Sequence, residues 1–139
     1  MNEAYDEYPA PYQTENHIES RNSVKVIELC LNGSNYTYYI GRSAAENTYL
    51  VNNSNPCDLW FHLAQHPSCH VVCALEGRNI TNKKLLRKIV RQGAVLCKAN
   101  SKLRGEKRVA IEYAYIRNVA ATQIPGKVFV STIKKEVII

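Results

Sequence analysis

Alternating apolar and polar positions begin at residue 24. Residues 24–31 and 36–40 are two such runs, rich in β-branched and aromatic side chains, and Asn32-Gly33-Ser34-Asn35 separates them. Asn-Gly between two alternating runs is a strong short-range hairpin signal. Two further β-rich runs, residues 58–63 and 70–75, are separated by a short polar connection. The pattern therefore predicts two hairpins.

The pattern changes to a helical period over residues 83–102. At about 100° per residue, one helix face holds the small and apolar residues. These are Leu85, Leu86, Ile89, Val90, Gly93, Leu96 and Cys97. The opposite face holds Val95 and a row of bases: Lys84, Arg87, Lys88, Arg91, Lys98 and Lys102. This segment is predicted to be a long amphipathic helix that starts after Thr81 or Asn82.

The remaining elements are shorter. Ser43 is a suitable N-cap for a short helix over residues 44–50, with Glu46 in its first turn. Strands are predicted at residues 108–115, 127–131 and 135–139, with Pro125-Gly126 as the turn before the last pair. Together, these predicted strands and helices indicate an α+β fold: a mainly antiparallel sheet of hairpins packed against one long basic amphipathic helix, plus one short helix.

Residues 1–22 differ from the rest of the chain. They contain prolines and acids without periodicity, which predicts a flexible acidic tail before a domain over residues 23–139. The first 20 residues carry five acids and no Lys or Arg, so the other 119 residues carry all 18 bases and seven acids, a net charge of +11. One hypothesis is that the tail folds over the basic body and competes with nucleic acid.

Other sequence features limit the function classes. No apolar run is long enough to span a membrane, and the N-terminus lacks the pattern of a secretory signal. These observations predict a cytoplasmic protein. The five cysteines are odd in number and irregularly spaced, which favours reduced, mostly buried thiols over a disulfide framework.

The basic residues are concentrated on and after the long helix. Ten of the 18 bases lie between Lys83 and Arg108, with Glu106 as the single acid among them. Like charges four residues apart repel, so such a row is costly unless phosphates neutralise it. We interpret it as a nucleic-acid surface. A solvated face, an anionic membrane surface and an acidic protein partner are the alternatives.

Asp58, Trp60 and His62 point to one side of their predicted strand, and Leu59, Phe61 and Leu63 point to the other. Trp60 between two polar residues is suited to stacking a base, while its neighbours bond a base edge or sugar. The structural alternative has Trp60 packed over the hairpin, Asp58 fixing a loop and His62 bonded to the backbone.

Metal and catalytic chemistry have weaker support. Four residues are spaced as possible zinc ligands: His62, His66, His70 and Cys73. Pro67 and the β-branched pair after His70 disfavour the helix that such a spacing needs. His62 or His70 with Asp58 is a possible acid/base pair for RNA cleavage, although chains of this size often contain one by chance. We predict no catalytic residue, no metal and no cofactor.

The chain resembles the NFACT-R domain, the RNA-binding region of NFACT proteins in ribosome quality control, which also occurs in small stand-alone proteins. The resemblance covers residues 24–139. Its most specific part is Asp58-Leu59-Trp60-Phe61-His62 followed by Pro67-Ser68-Cys69-His70-Val71. Further pieces in the same order are residues 40–47, 111–113, 116–119 and 125–128.

The resemblance implies a non-catalytic module that binds RNA, either tRNA or ribosomal RNA, possibly on the ribosome. Matched by position, the residues that it implies for the functional surface are Gly41, Arg42, Asn47, Asp58, Trp60, His62, His70, Arg117 and Lys127. A translation-associated adaptor for another protein is the alternative, and a small RNA-processing enzyme is a weaker one. The family's large N-terminal domain and coiled coil have no counterpart here, so tail elongation on stalled ribosomes is not expected of this chain alone.

Overall fold

A computed structural model of the protein describes residues 24–139. The tail predicted over residues 1–22 lies outside the described residues, and the tail hypothesis stays a prediction. Eight strands and two helices follow. The strands are β1 (Lys25–Leu31), β2 (Ser34–Gly41), β3 (Leu59–Leu63), β4 (His70–Ala74), β5 (Ala110–Tyr115), β6 (Val119–Ala121), β7 (Val128–Val130) and β8 (Lys135–Ile138). The helices are α1 (Ala44–Asn53) and α2 (Lys83–Ala99), and a single 3-10 turn spans Ile116–Asn118.

Six strands form one antiparallel sheet in the order β1-β2-β4-β3-β5-β8, and β6 and β7 form a separate two-stranded ribbon. The α+β fold with a long helix is confirmed. Both predicted hairpins are present. In the first, Leu31 faces Ser34 across a two-residue turn, and Asn32 and Gly33 both have positive φ, at 52° and 82°. These are the angles that a type I′ turn requires.

Helix α2 has the predicted N-terminus and a shorter C-terminus. The side chain of Asn82 accepts a hydrogen bond from the Leu85 amide at 3.0 Å, so Asn82 is the N-cap. The helix ends at Ala99, three residues before the predicted end. The Asn100 side chain donates to the Leu96 carbonyl at 2.8 Å, and the Ser101 hydroxyl donates to the Lys98 carbonyl at 2.8 Å. These side chains satisfy carbonyls at the helix end and stop it there.

Both faces of the sheet are covered, whereas the sequence pattern predicted cover for one. On one face, Phe61, Val71 and Ile111 pack with Ile89 and Cys97 of α2. The other face holds a second core in which Trp60, Val72 and Ala114 pack with residues of α1 and β6: Leu50, Val51 and Val119. Strand β6 has just three residues, Val-Ala-Ala, too few for an alternating pattern to predict.

No helix in the described part of the chain is long and apolar enough to cross a membrane. Within the same residues all five cysteines are free; Cys69, Cys73 and Cys97 are buried, Cys57 is half-buried and Cys30 is exposed.

Candidate nucleic-acid interface

The first cationic surface is the N-terminal half of α2. Five bases there are exposed to solvent: Lys83, Lys84, Arg87, Lys88 and Arg91. Lys88 Nζ donates to Asn32 Oδ1 at 3.0 Å, which places this end of α2 beside the turn between β1 and β2. Both ion pairs recorded within residues 24–139 involve Glu112, and neither uses a base of α2. The positive charge of this surface is therefore not neutralised by the described part of the chain.

The predicted cations at the other end of α2 differ in their exposure to solvent. Lys98 is half-buried and its Nζ donates to the carbonyl of Ile139 at 3.2 Å. Lys98 therefore ties the helix to the C-terminal residue. Lys102 lies beyond the helix end, is exposed and lines an open cleft. The basic row thus continues from the exposed face of α2 to this cleft.

The cleft has a volume of about 1080 Å³. Its walls come from the start of α1, the connection between β3 and β4, the segment after α2, and residues 125–130 around β7. Six of the predicted site residues line it: Arg42, Asn47, His62, His70, Lys102 and Lys127. The structure thus brings together residues that are as much as 85 positions apart in the sequence. Arg117, Asp58 and Trp60 do not line this cleft.

Asp58 is buried and binds backbone amides of its own domain. Its side chain is buried, with Oδ2 accepting from the Asn55 amide and Oδ1 accepting from the Leu75 amide, both at 2.9 Å. Asp58 thereby joins the loop before β3 to the end of β4. The expectation that Asp58 contacts RNA is corrected, because both carboxylate oxygens are turned inward to backbone amides.

Trp60 is also placed differently from the expectation. The indole has no solvent exposure and lies within the second core. Its Nε1 donates to Nδ1 of His70 at 3.1 Å, and its ring stacks on the His62 ring with centroids 5.7 Å apart. A side chain with no exposed face cannot stack a base, so this predicted contact is wrong in this structure. The structure instead has the alternative arrangement, in which Trp60 packs over the hairpin.

His70 is held in one tautomer. Because Nδ1 accepts the indole hydrogen, the neutral ring carries its proton on Nε2. Burial is the largest cause that lowers the pKa of His70 to about 3, with the charge of nearby His62 acting in the same direction and a hydrogen bond to the Gly126 backbone opposing them. His70 therefore lines the cleft as an uncharged group at neutral pH.

His62 lies at the boundary between core and cleft. Nδ1 is 2.7 Å from its acceptor, the Leu63 carbonyl, and 3.6 Å from Oε2 of Glu112. Burial lowers the pKa of His62, while the Leu63 hydrogen bond and the Glu112 charge raise it and Lys134 lowers it. Of the predicted strand motif, His62 is the residue that still reaches the cleft.

Asn47 joins α1 to the sheet at the cleft. Its Oδ1 accepts from the backbone amide of His70 at 3.1 Å. This close approach needs a glycine at position 41, because a Cβ there would lie 2.4 Å from Asn47 Oδ1. Gly41, Asn47 and His70, three residues of the family resemblance, form one contact set that shapes the cleft wall.

Arg117 and Lys127 precede and follow β6 in the chain. The Arg117 guanidinium lies over the ring of Tyr115, 4.4 Å from its centroid, and the side chain is exposed. Lys127 is exposed as well and lines the cleft. Both cations are therefore open to solvent, on separate parts of the surface.

The sequence reasoning missed Glu112 and Lys134. Glu112 faces His62 across β5 and β3, and its Oε1 accepts from Lys134 Nζ at 2.8 Å. The carboxylate beside the cleft histidine is thus Glu112, and Asp58 is not its partner. Strand register creates this contact, and no local pattern around residue 112 indicates it.

Metal ligation has no geometric support in residues 24–139. No group of three or more His, Cys, Asp or Glu side chains there is arranged to hold an ion. Cys73 packs in the core under α2, whereas His70 borders the cleft on the other side of β4. The four-residue zinc set considered from the sequence is therefore divided between the two faces of the sheet.

A protein-family model described as "NFACT protein RNA binding domain" matches residues 25–131. Among curated proteins, "Coiled-coil domain-containing protein 25" of Mus musculus and of Bos taurus are each 36% identical over 72 residues. Each match covers 51% of this chain and 34% of the relative, so the matched region is about a third of those proteins.

Solved structures with a similar fold include the following one. It is "The structure of the C-terminal of the fibronectin/fibrinogen-binding protein from Streptococcus suis", with a TM-score of 0.65 and 21% sequence identity. The superposition covers 81% of this chain and 43% of that one.

Proposed function

This chain belongs to the NFACT RNA-binding domain family, and on that premise we propose that it binds RNA through the exposed bases of α2 and the cleft at the far end of that helix. The observation that carries the proposal is the row of α2 cations, which has no ion-pair partner within residues 24–139. Cations of this kind attract phosphates independently of sequence and release condensed counterions on binding.

The dimensions of this surface suit an extended ligand. Helix α2 has 17 residues. At about 1.5 Å per residue, it separates the exposed bases near its start from Lys102 by roughly 25 Å. That distance is several times the roughly 3.4 Å spacing of charges along one strand of double-stranded DNA. A nucleic acid fits this surface better than a single nucleotide does.

The cleft supplies shorter-range recognition. Lys102 and Lys127 are exposed cations on its rim, half-buried His62 borders it with a polar ring, and buried Asn47 and His70 shape its wall. Phosphate contacts position a nucleic acid, and neutral polar groups are suited to sugars and base edges. The helix surface is accordingly assigned to affinity and the cleft to discrimination.

The proposed ligand is tRNA or ribosomal RNA, with binding rather than cleavage as the role. The family resemblance supports this finer assignment to translation quality control, and a place beside the ribosome implies a cytoplasmic location. Both carboxylate oxygens of Asp58 accept backbone hydrogen bonds, so the Asp58–His62 acid/base pair has no geometric support, and Glu112 is the carboxylate beside His62.

Filter binding of tRNA, a ribosomal RNA fragment and duplex DNA across a salt series tests the proposal. We expect log K to fall linearly with log salt concentration. Each of the changes Arg87→Glu and Arg91→Glu should weaken binding of all RNAs and reduce the slope by about 1 or more. Cleavage of labelled RNA is followed in the same samples.

Lys25→Glu is the matched control, because it makes the same charge change on an exposed residue of β1, outside α2 and the cleft. If Lys25→Glu weakens binding as much as Arg87→Glu, a general charge effect replaces the proposed surface. Binding that does not depend on salt would contradict the proposal, as would RNA cleavage that His62→Ala abolishes.

A further inference from the structure

Phe129, on β7, is unusual among the apolar side chains of this protein. At 68% exposure it is the most exposed large hydrophobic residue within residues 24–139. The others in that class are Val26, Val95, Ile124, Ile133 and Ile138, so Phe129 is the one aromatic among them. Single exposed apolar residues are common in proteins, and exposure alone does not define a site.

The ribbon of β6 and β7 explains why Phe129 points outward. Val119, Val128 and Val130 pack toward the second core, and Val128 and Val130 also line the cleft. Side chains alternate along a strand, so Phe129 lies on the other face of the ribbon, opposite Ala120 of β6. Ala120 is small, which leaves the phenyl ring uncovered.

Phe129 has one exposed cation close to it in the chain. Lys127, two positions before Phe129, is exposed, whereas Lys134 is paired with Glu112 at 2.8 Å. Lys127 precedes β7 and lines the cleft together with Val128 and Val130, whereas Phe129 lies on the outer face of the ribbon. The ribbon therefore carries a cation at the cleft and an exposed ring on its outer face.

We infer that Phe129 stacks on an unpaired base of the bound RNA, while Lys127 contacts the adjoining phosphate. This inference rests on the proposed function and adds a preference to it: the ribbon selects RNA with single-stranded nucleotides. An exposed ring two residues from an exposed lysine suits this ligand, because every base has an aromatic face and every nucleotide carries a phosphate. A fully paired duplex has no free base to offer the ring.

Binding of single-stranded oligoadenylate and of a fully paired RNA duplex of equal length tests the inference. Phe129→Ala should weaken oligoadenylate binding by about 5- to 100-fold, the usual effect of removing one stacked aromatic. It should leave duplex binding unchanged. Phe129→Trp should preserve or tighten oligoadenylate binding, because an indole is a larger stacking surface.

Val26→Ala is the matched control, since Val26 is 51% exposed and lies on β1, away from the ribbon. It should change neither affinity. Thermal unfolding of both variants establishes that the fold is intact; a 68% exposed ring contributes little to the core.

Tryptophan fluorescence can report directly on position 129, because the chain has one tryptophan, the buried Trp60. The indole introduced by Phe129→Trp should be quenched by acrylamide in the free protein. Oligoadenylate should protect it from acrylamide, and the duplex should not.

The outcomes separate the two proposals. If the wild-type protein binds neither RNA in a salt-dependent way, the RNA-binding function itself fails. If it binds both RNAs and Phe129→Ala changes neither affinity, the stacking role is overturned and the function stands. Equal weakening of both RNAs by Phe129→Ala also overturns stacking, because a paired duplex cannot supply the base.

Discussion

The indole Nε1 of Trp60 donates a hydrogen bond of 3.1 Å to Nδ1 of His70, and both rings are almost completely buried, at 0% and 1% exposure. The bond fixes His70 as a neutral ring and gives the indole its polar partner inside the second core. Two residues that the family resemblance implied for RNA contact therefore depend on each other. Trp60 contributes to stability within the second core, and His70 forms part of the cleft wall.

Trp60→Phe is expected to reduce stability without changing RNA affinity. The change leaves buried His70 Nδ1 without its donor, which costs about 1–3 kcal/mol, and a cavity adds to this. Urea unfolding measures the first effect and RNA titration of the folded variant measures the second. A lower affinity in a fully folded Trp60→Phe variant would mean that the indole reaches RNA after all.

Stability is expected to fall as the solution becomes acidic. The unfolded chain protonates His70 near its ordinary pKa of 6.5, whereas burial keeps the pKa of His70 at about 3 in the folded protein. Between these values the unfolded state binds the extra proton. The free energy of unfolding should therefore decrease by up to about 1.4 kcal/mol for each unit of pH below 6.5.

His70→Gln should reduce this slope in urea unfolding measured between pH 7.5 and pH 4.5. His66→Gln is the control, because it removes an exposed histidine from the cleft rim and should leave the slope unchanged. The lowered pKa of His62 contributes in the same direction, so part of the slope should remain in His70→Gln. A slope that His70→Gln does not alter would contradict the assignment to His70.

The pKa of His62 should respond in opposite directions to its two charged neighbours. The Glu112 carboxylate raises it and the Lys134 ammonium lowers it. We therefore expect Glu112→Gln to lower the pKa of His62 further and Lys134→Ala to raise it, as measured by NMR titration of the ring protons. Lys135→Ala removes a neighbouring lysine and should shift the pKa of His62 less. An equal shift would mean that the pKa responds to the overall positive charge and not to the contact with Lys134.

Gly93→Ala should destabilise the protein although it sits in the middle of α2. Helix propensity alone favours alanine over glycine by about 1 kcal/mol. A Cβ at position 93, however, would lie 2.3 Å from the Phe61 ring. Overpacking of this kind costs about 1–3 kcal/mol, so the net change should be a loss.

Thermal or urea unfolding shows whether Gly93→Ala raises or lowers the stability of the protein. A Cβ at Gly105 would meet no atom within 4 Å, so Gly105→Ala is the control and should have little effect. Phe61→Leu combined with Gly93→Ala should recover part of the loss, because the smaller side chain gives way. A stabilised Gly93→Ala variant would show that the Phe61 ring moves freely.

Several elements were predictable because neighbouring residues determine them. Asn32-Gly33 supplies the positive φ angles of a tight turn, Ser43 accepts from the Glu46 amide at 3.1 Å, and the period of α2 separates its apolar and basic faces. Each depends on contacts within a few residues. The last turn of α2 was less predictable, since competing side-chain bonds from Asn100 and Ser101 ended it early.

The sequence by itself determined both helices and every strand except β6, the family, and the concentration of positive charge on one side of α2. The tertiary structure alone decided that Trp60 and Asp58 are buried, that Glu112 faces His62, and that the polar residues of four segments share one cleft. An alternating pattern tells which side of a strand a residue occupies. Whether that side meets water depends on how α1 and the ribbon pack over it, which no pattern within the strand encodes.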